Sequence, residues 1–147
     1  MAIIATISNH AKYQFGKKLI DLSTDTLIAI LMNDTFTFEK DTHSTLAAVT
    51  ANQLATKNGY SQDAKVLTSL SWIEDDTNDK GVFTCENITW TATSVDDGTG
   101  IGPTGAFCIV DLSTIDDTVI CCFDFGTDHT INDESGFQLQ TIKISLT

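Results

Sequence analysis

Residues 26–32, with the sequence TLIAILM, decide the fold. Apart from Thr26 the run is continuously apolar, and Asp25 and Asn33 bound it on either side. It is too short for an ordinary helix, so it predicts a central strand that is buried on both faces. A strand of this kind needs hydrogen-bonded neighbours and a covering layer on each side, which the rest of the chain must supply.

Short apolar or alternating runs on the C-terminal side predict those neighbours, because clusters of Asp, Asn, Gly and Ser separate them. The further predicted strands are residues 65–74, 82–85, 88–94, 107–112, 119–125 and 137–145, the last with a bulge at Gln140 or Thr141. The polar residues 75–81 are typical of a hairpin turn. The pattern predicts a mainly β fold, an antiparallel β-sandwich or barrel of jelly-roll-like type.

One short N-terminal helix is expected at residues 9–20, with Asn9 as its cap. Three side chains are predicted to face the core: Tyr13, Phe15 and Leu19. Residues 33–45 carry charged side chains and predict an exposed loop, while residues 44–56 fit either a helix or an irregular edge. Residues 96–105 hold four glycines and the only proline, which predicts a long mobile loop.

The length of 147 residues suits one domain spanning residues 1–147. No apolar run approaches the roughly 18 residues that would span a bilayer. Residues 1–7 are apolar but lack a basic start and a clear cleavage site, so we do not interpret them as a signal peptide.

Charge argues against several kinds of partner. The net charge is −12, from 8 basic and 20 acidic residues, and the chain has no arginine. Such a protein repels phosphate, so neither nucleic acid nor an anionic membrane is expected as a partner. The one basic cluster, Lys12, Lys17 and Lys18, is interpreted as a solvated helix face or a local docking patch.

Four cysteines, Cys85, Cys108, Cys121 and Cys122, lie in apolar stretches without zinc-type spacing. We expect buried free thiols, with a disulfide such as Cys85–Cys108 as the alternative in an oxidising compartment. The adjacent Cys121 and Cys122 should point to opposite faces of a strand.

No catalytic, cofactor-binding or metal-binding residue is predicted. The acidic pairs Asp75–Asp76 (with Asp79), Asp96–Asp97, Asp116–Asp117 and Asp133–Glu134 lie in predicted turns and leave calcium binding as an alternative, although none has the spacing of a calcium loop. The histidines His10, His43 and His129 share no spacing. Asp128–His129 is not interpreted as a catalytic relay, nor residues 98–102 (GTGIG) as a phosphate cradle, because the flanking motifs are missing.

The order LIDLSTDT at residues 19–26, followed by the strand LIAILMN, resembles small structural proteins encoded in tailed-phage genomes. Residues 41–43, 49–54, 59–60, 64–67, 75–83 and 88–92 share the likeness. It covers about residues 12–93 and continues more weakly into residues 124–126.

The resemblance implies a non-enzymatic virion protein, best matched by a capsid decoration or cement protein. Such a protein is made in the host cytoplasm and binds the major capsid protein at the outer surface of the capsid, as a dimer or trimer. A tail, neck or fibre component is the nearest alternative. A carbohydrate-binding module would need an exposed Trp72 or Trp90, whereas alternation predicts both in the core. A calcium-dependent hydrolase is a third hypothesis.

Overall fold

The computed structural model describes residues 4–147. Strands make up 44% of the chain and helices 10%, and every strand pair in the described part is antiparallel. The predicted mainly β, antiparallel fold is therefore confirmed. Of the N-terminal segment that we did not interpret as a signal peptide, residues 1–3 lie outside the described residues.

The described chain forms three sheets. The strands are β1 (Ala5–Ile7), β2 (Leu27–Asn33), β3 (Lys65–Val66), β4 (Ser71–Asp75), β5 (Lys80–Thr84), β6 (Ile88–Thr91), β7 (Ile101–Asp111), β8 (Thr118–Ile131), β9 (Gly136–Leu139) and β10 (Lys143–Leu146). The helices are α1 (Asn9–Gly16) and α2 (Leu46–Val49), the latter followed by a 3₁₀ turn at Thr50–Asn52. The sheets have the orders β1-β8-β7-β2-β3, β10-β5-β4 and β6-β9. Because the large sheet ends at β1 and β3, it is not a closed barrel.

Strand β2 lies inside the large sheet, between β7 and β3, and its residues 27–32 are all buried. Alternate side chains point to opposite faces. Leu27, Ala29 and Leu31 therefore join one apolar cluster, and Ile28, Ile30 and Met32 join a second. The prediction of a strand buried on both faces is confirmed.

The first cluster is the main core, where the two small sheets cover the large one in a sandwich-like arrangement. Phe83 of β5, Trp90 of β6, Leu139 of β9 and Ile144 of β10 all contribute to it. Residues 36–49 cover the second cluster on the opposite face, through Phe36, Phe38, Leu46 and Val49. Residues 33–45 are therefore not the fully exposed loop that their charges predict, because the two phenylalanines pack inward.

Helix α1 is shorter than predicted, and a different residue caps it. The Ser8 hydroxyl accepts a hydrogen bond from the Ala11 amide (2.9 Å) and donates one to the Val119 carbonyl (2.6 Å), which ties the helix start to β8. The buried side of the helix carries Ala11 and Gln14. The predicted core residues Tyr13 and Leu19 are 60% and 53% exposed, and only Phe15 packs against the core.

Two predicted strands are each divided by a residue with left-handed backbone. Ser69 (φ 53°) separates β3 from β4, and Thr141 (φ 54°) separates β9 from β10. In both cases the two halves belong to different sheets. The bulge expected at Gln140 or Thr141 is thus a change of sheet, since a non-glycine residue with positive φ ends an extended run.

The loop at residues 96–105 is neither as long nor as free as predicted, because β7 already starts at Ile101. The fully buried Asn58 side chain donates hydrogen bonds to Asp97 Oδ1 (2.6 Å) and to the Gly100 carbonyl (2.9 Å). Lys57 Nζ lies 3.2 Å from Asp97 Oδ2. Hydrogen bonds from Asn58 and Thr99 hold the pKa of Asp97 well below its usual value. The glycine-rich loop is anchored to residues 57–58.

The cysteines also differ from the expectation of free thiols. Cys108 of β7 lies directly opposite Cys122 of β8, and the two form a disulfide. Cys85 and Cys121 are free, so the alternative Cys85–Cys108 bond is wrong as well. Burial raises the pKa of the Cys85 thiol to about 11 and also raises that of Cys121. Cys121 and Cys122 do point to opposite faces, one into each apolar cluster.

Candidate functional site

The β4–β5 hairpin is built by its polar turn. Asp75 accepts hydrogen bonds from the Asn78 amide (3.2 Å) and from its side chain (2.9 Å to Oδ2). These hydrogen bonds hold the pKa of Asp75 below its usual value. Asp79 takes a left-handed backbone (φ 53°), which turns the chain into β5. The hairpin predicted from residues 75–81 is confirmed, and the acidic residues there are turn formers.

Trp72 of β4 is fixed in place at the surface. A Cβ built on Gly81 would lie 2.4 Å from the indole ring, so the ring rests directly on the Gly81 backbone. The side chain is 38% exposed, whereas Trp90 is 3% exposed inside the main core. The core prediction is therefore confirmed for Trp90 and wrong for Trp72. Because Gly81 has no side chain, the indole can rest on its backbone and still remain partly exposed.

The free edge of β4 is apolar. β4 is the outer strand of its sheet, and among residues 4–147 no second strand pairs with it. Ile73 is 57% exposed. Val66 of β3, an edge strand of the large sheet, is 52% exposed. An edge strand with unpaired backbone groups and exposed apolar side chains is suited to pair with another chain.

Carboxylates surround this edge. A groove of about 480 Å³ beside Trp72 is lined by Glu74, Asp75, Asp76 and Asp79. Lys80 is the one basic residue of the described chain that lines it. A second groove of about 460 Å³ lies between Trp72 and the segment after α1, with Lys18 and Asp21 at its wall. We define the β4 edge surface as Trp72, Ile73, Glu74, Asp75, Asp76 and Asp79. It combines exposed apolar side chains with an acidic field.

The three histidines lie apart. His10 Nε2 is 2.6 Å from Asp116 Oδ2 in a half-buried pair. The His43 ring lies beside Phe36 and accepts a hydrogen bond from the Glu39 amide (3.0 Å). His129 is exposed, and its Nε2 lies 3.3 Å from the Thr127 hydroxyl. Asp128, the partner in a relay, points instead toward Gly105.

The acidic turns do not converge on a metal site. Among residues 4–147, no three His, Cys, Asp or Glu side chains are arranged to hold a metal ion. One carboxyl pair was missed by sequence reasoning: Asp111 at the end of β7 is fully buried beside Asp25. Burial, with the Asp25 carboxyl next to it, raises the pKa of Asp111 to about 7.

The fold and its surface define a class: a mainly β, antiparallel, acidic protein with an exposed apolar sheet edge. No helix in the described part of the chain has the length and hydrophobicity needed to cross a membrane. Comparison with protein-family models, with curated proteins and with solved structures gives no match.

Proposed function

We propose that this chain is a non-enzymatic virion protein of a tailed phage, a decoration or cement protein that binds the major capsid protein and stabilises the shell. The observation that carries the proposal is the exposed apolar edge of β4, where Ile73 is 57% exposed beside four carboxylates. Packing within residues 4–147 leaves more than half of this side chain uncovered. A binding partner that covers this edge would account for the exposed apolar side chain.

Strand addition is the proposed mode of binding. An extended segment of the capsid protein pairs with the free backbone groups of β4, while Trp72 and Ile73 project to opposite faces of the extended sheet. The carboxylates of the β4 edge surface favour a partner with basic side chains. A protein that binds the assembled shell but not the free subunit stabilises the shell by mass action.

On the outer surface of the capsid, a net charge of −12 would keep virions apart. We further propose that the free protein is a dimer or trimer. The second exposed edge, at β3 with Val66, offers a separate surface for contacts between copies. Native mass measured over a range of protein concentrations tests the oligomeric state.

The test of the capsid assignment uses heads and tails of the encoding phage, purified separately and probed for this protein. Heads that lack the protein are then incubated with the recombinant chain, and bound protein and thermal release of DNA are measured. We expect saturable binding to heads and a higher release temperature. Binding to tails and not to heads would instead support a tail, neck or fibre component.

Two substitutions that add the same charge make the test specific. Ile73→Lys places an ammonium group on the β4 edge, and we expect it to weaken head binding about tenfold or more. Ile115→Lys is the matched control, because Ile115 is fully exposed in the turn between β7 and β8. Equal binding by both variants, with unchanged melting temperatures, would contradict the proposed edge.

A carbohydrate-binding role is the second candidate, and the exposed Trp72 favours it. A fixed indole beside carboxylates provides an apolar ring face for stacking and acceptors for sugar hydroxyls. The groove between Trp72 and Asp21 is open enough, at about 460 Å³, for a sugar ring.

Single-tryptophan variants separate the two proposals. Trp90→Phe leaves only Trp72, so a bound oligosaccharide should change its emission, while Trp72→Phe should show no response. Soluble chito-, cello- and manno-oligosaccharides are the probes. Unchanged emission of Trp72 with all of them at millimolar concentration would rule out the sugar role and leave the capsid proposal standing.

A further inference from the structure

A third groove, distinct from the β4 edge surface, lies over the aromatic part of the main core. It has a volume of about 430 Å³. Its floor consists of four phenylalanines from β7, β8 and β9: Phe107, Phe123, Phe125 and Phe137. Small-molecule sites typically measure about 300–1,000 Å³ and are mainly apolar with a few polar groups, which describes this groove.

The groove exists because the layer covering the large sheet is divided. β9 ends at Leu139 and pairs with β6, whereas β10 starts at Lys143 and pairs with β5. The left-handed Thr141 lies at the crossing between them. Residues 140–142 therefore line one side of the groove, with the largely buried phenylalanines of β7 and β8 at its base.

The rings of the floor form a fixed arrangement of faces and edges. Phe107 and Phe123 stack in parallel, with ring centroids 4.4 Å apart and planes 2° apart. Phe125 meets Phe137 edge to face at 5.7 Å. The exposed His129 ring lies 5.9 Å from Phe137 and extends the aromatic wall to the rim. A flat ring that enters would meet the Phe137 and His129 rings, which are the more accessible ones and are already oriented by their aromatic neighbours.

The rim of the groove carries two hydrogen-bonded amides, those of Gln138 and Gln140. The Gln140 amide donates to Gln138 Oε1 (2.6 Å), and the Gln138 amide donates in turn to the Thr89 hydroxyl (3.1 Å). This chain fixes both amides, and the carbonyl oxygen of Gln140 accepts no hydrogen bond from residues 4–147. An N–H or O–H on a bound ring could donate to it.

Charge excludes anionic ligands. Among residues 4–147, no lysine lines the groove and His129 is its one ionisable side chain. The protein carries a net charge of −12. An anion would lose hydration without gaining a cationic partner.

We propose that this groove is a binding site for a small, neutral, planar aromatic compound that carries a hydrogen-bond donor. The inference is independent of the proposed capsid role, because it uses none of the residues of the β4 edge surface.

A pair of fluorescent probes with the same skeleton tests the proposal. N-phenyl-1-naphthylamine is neutral and carries one N–H, and 1-anilinonaphthalene-8-sulfonate adds a negative charge to it. With the full chain we expect saturable enhancement for the neutral probe and at least tenfold weaker binding of the sulfonate. No saturable binding of the neutral probe, or equal binding of the two, would overturn the proposal.

Substitutions inside and outside the groove test whether the probe binds there. Gln140→Trp should fill the groove and weaken binding at least tenfold, and because Gln140 is exposed it should keep the fold. Phe137→Ala removes one wall and should weaken binding as well. Phe36→Ala is the matched control, from the separate cluster of Phe36, Phe38 and His43, and should bind normally. Unchanged binding by Gln140→Trp, with an unchanged melting temperature, would place the probe elsewhere and contradict the proposal.

Discussion

The centre of the large sheet and strand β4 both carry neighbouring apolar residues, yet only those of the large sheet are covered. Every side chain of residues 27–32 in β2 is buried, whereas Trp72 and Ile73 of β4 are 38% and 57% exposed. In β2, packing on both faces accounts for the apolar residues. In β4, packing within residues 4–147 does not, so the comparison separates apolar residues that build the fold from those available to a partner.

Paired alanine substitutions give the largest contrast. Leu31→Ala should lower the free energy of unfolding by about 2–5 kcal/mol, because it leaves a cavity in the main core. Ile73→Ala should change it by less than about 0.5 kcal/mol, since the side chain is mostly exposed. Urea denaturation followed by circular dichroism measures both. Similar losses for the two variants would mean that β4 is packed as tightly as β2.

The sequence predicted the centre well and the hairpin only in part. Continuous apolarity is enough to place β2 inside a sheet, and the turn residues 75–81 locate the hairpin. Alternation assigns Trp72 to a face of β4, but it does not say how far the sheet extends beyond its covering layer. The exposure of Trp72 depends on whether other parts of the fold cover that face of β4, which only the tertiary structure shows.

The Cys108–Cys122 disulfide is a covalent link within the large sheet. It joins β7 to β8 across 14 residues, and closing a loop of this length is worth about 3 kcal/mol. Reduction, or the double change Cys108→Ala and Cys122→Ala, should lower stability by roughly that amount. Cys85→Ala is the control, because Cys85 is free.

Counting thiols checks the pairing directly. In denaturant without reductant, the protein should react with two equivalents of a thiol reagent, from Cys85 and Cys121. Four reactive thiols in freshly purified protein would contradict the Cys108–Cys122 bond. The sequence could not supply this pairing, because it requires the register between β7 and β8.

The loop before β7 gives a smaller contrast. Its glycine-rich sequence predicts mobility, whereas hydrogen bonds from Asn58 hold it in place. Asn58→Gly keeps the left-handed backbone (φ 51°) accessible and removes the hydrogen bonds to Asp97 and Gly100. We expect a loss of about 1–3 kcal/mol and faster hydrogen exchange at residues 96–100. The exposed Asn87→Gly serves as the control, and equal exchange in both variants would show that the loop does not depend on Asn58. The Asn58–Gly59 dipeptide is a turn signal in the sequence, but nothing there shows which loop its side chain holds.

The contrast that depends on pH concerns the buried carboxyl pair, Asp25 and Asp111. The pKa of Asp111 is raised in the folded protein, from 3.8 to about 7, by burial and by Asp25. The folded state therefore keeps a proton that the unfolded state loses, so stability falls as pH rises from about 4 to about 7. Asp111→Asn removes this penalty, and at pH 8 it should stabilise the protein by up to about 4 kcal/mol, because each pKa unit is worth about 1.4 kcal/mol.

At pH 4 the same substitution should have little effect, because Asp111 is then protonated and resembles the amide. Melting temperatures of Asp111→Asn and of the unsubstituted protein, measured between pH 4 and pH 8, should diverge as pH increases. Asp133→Asn, at an exposed turn, is the control and should show no such trend. A constant difference across the range would mean that Asp111 does not keep its proton in the folded protein. The end of β7 would then hold a buried carboxylate.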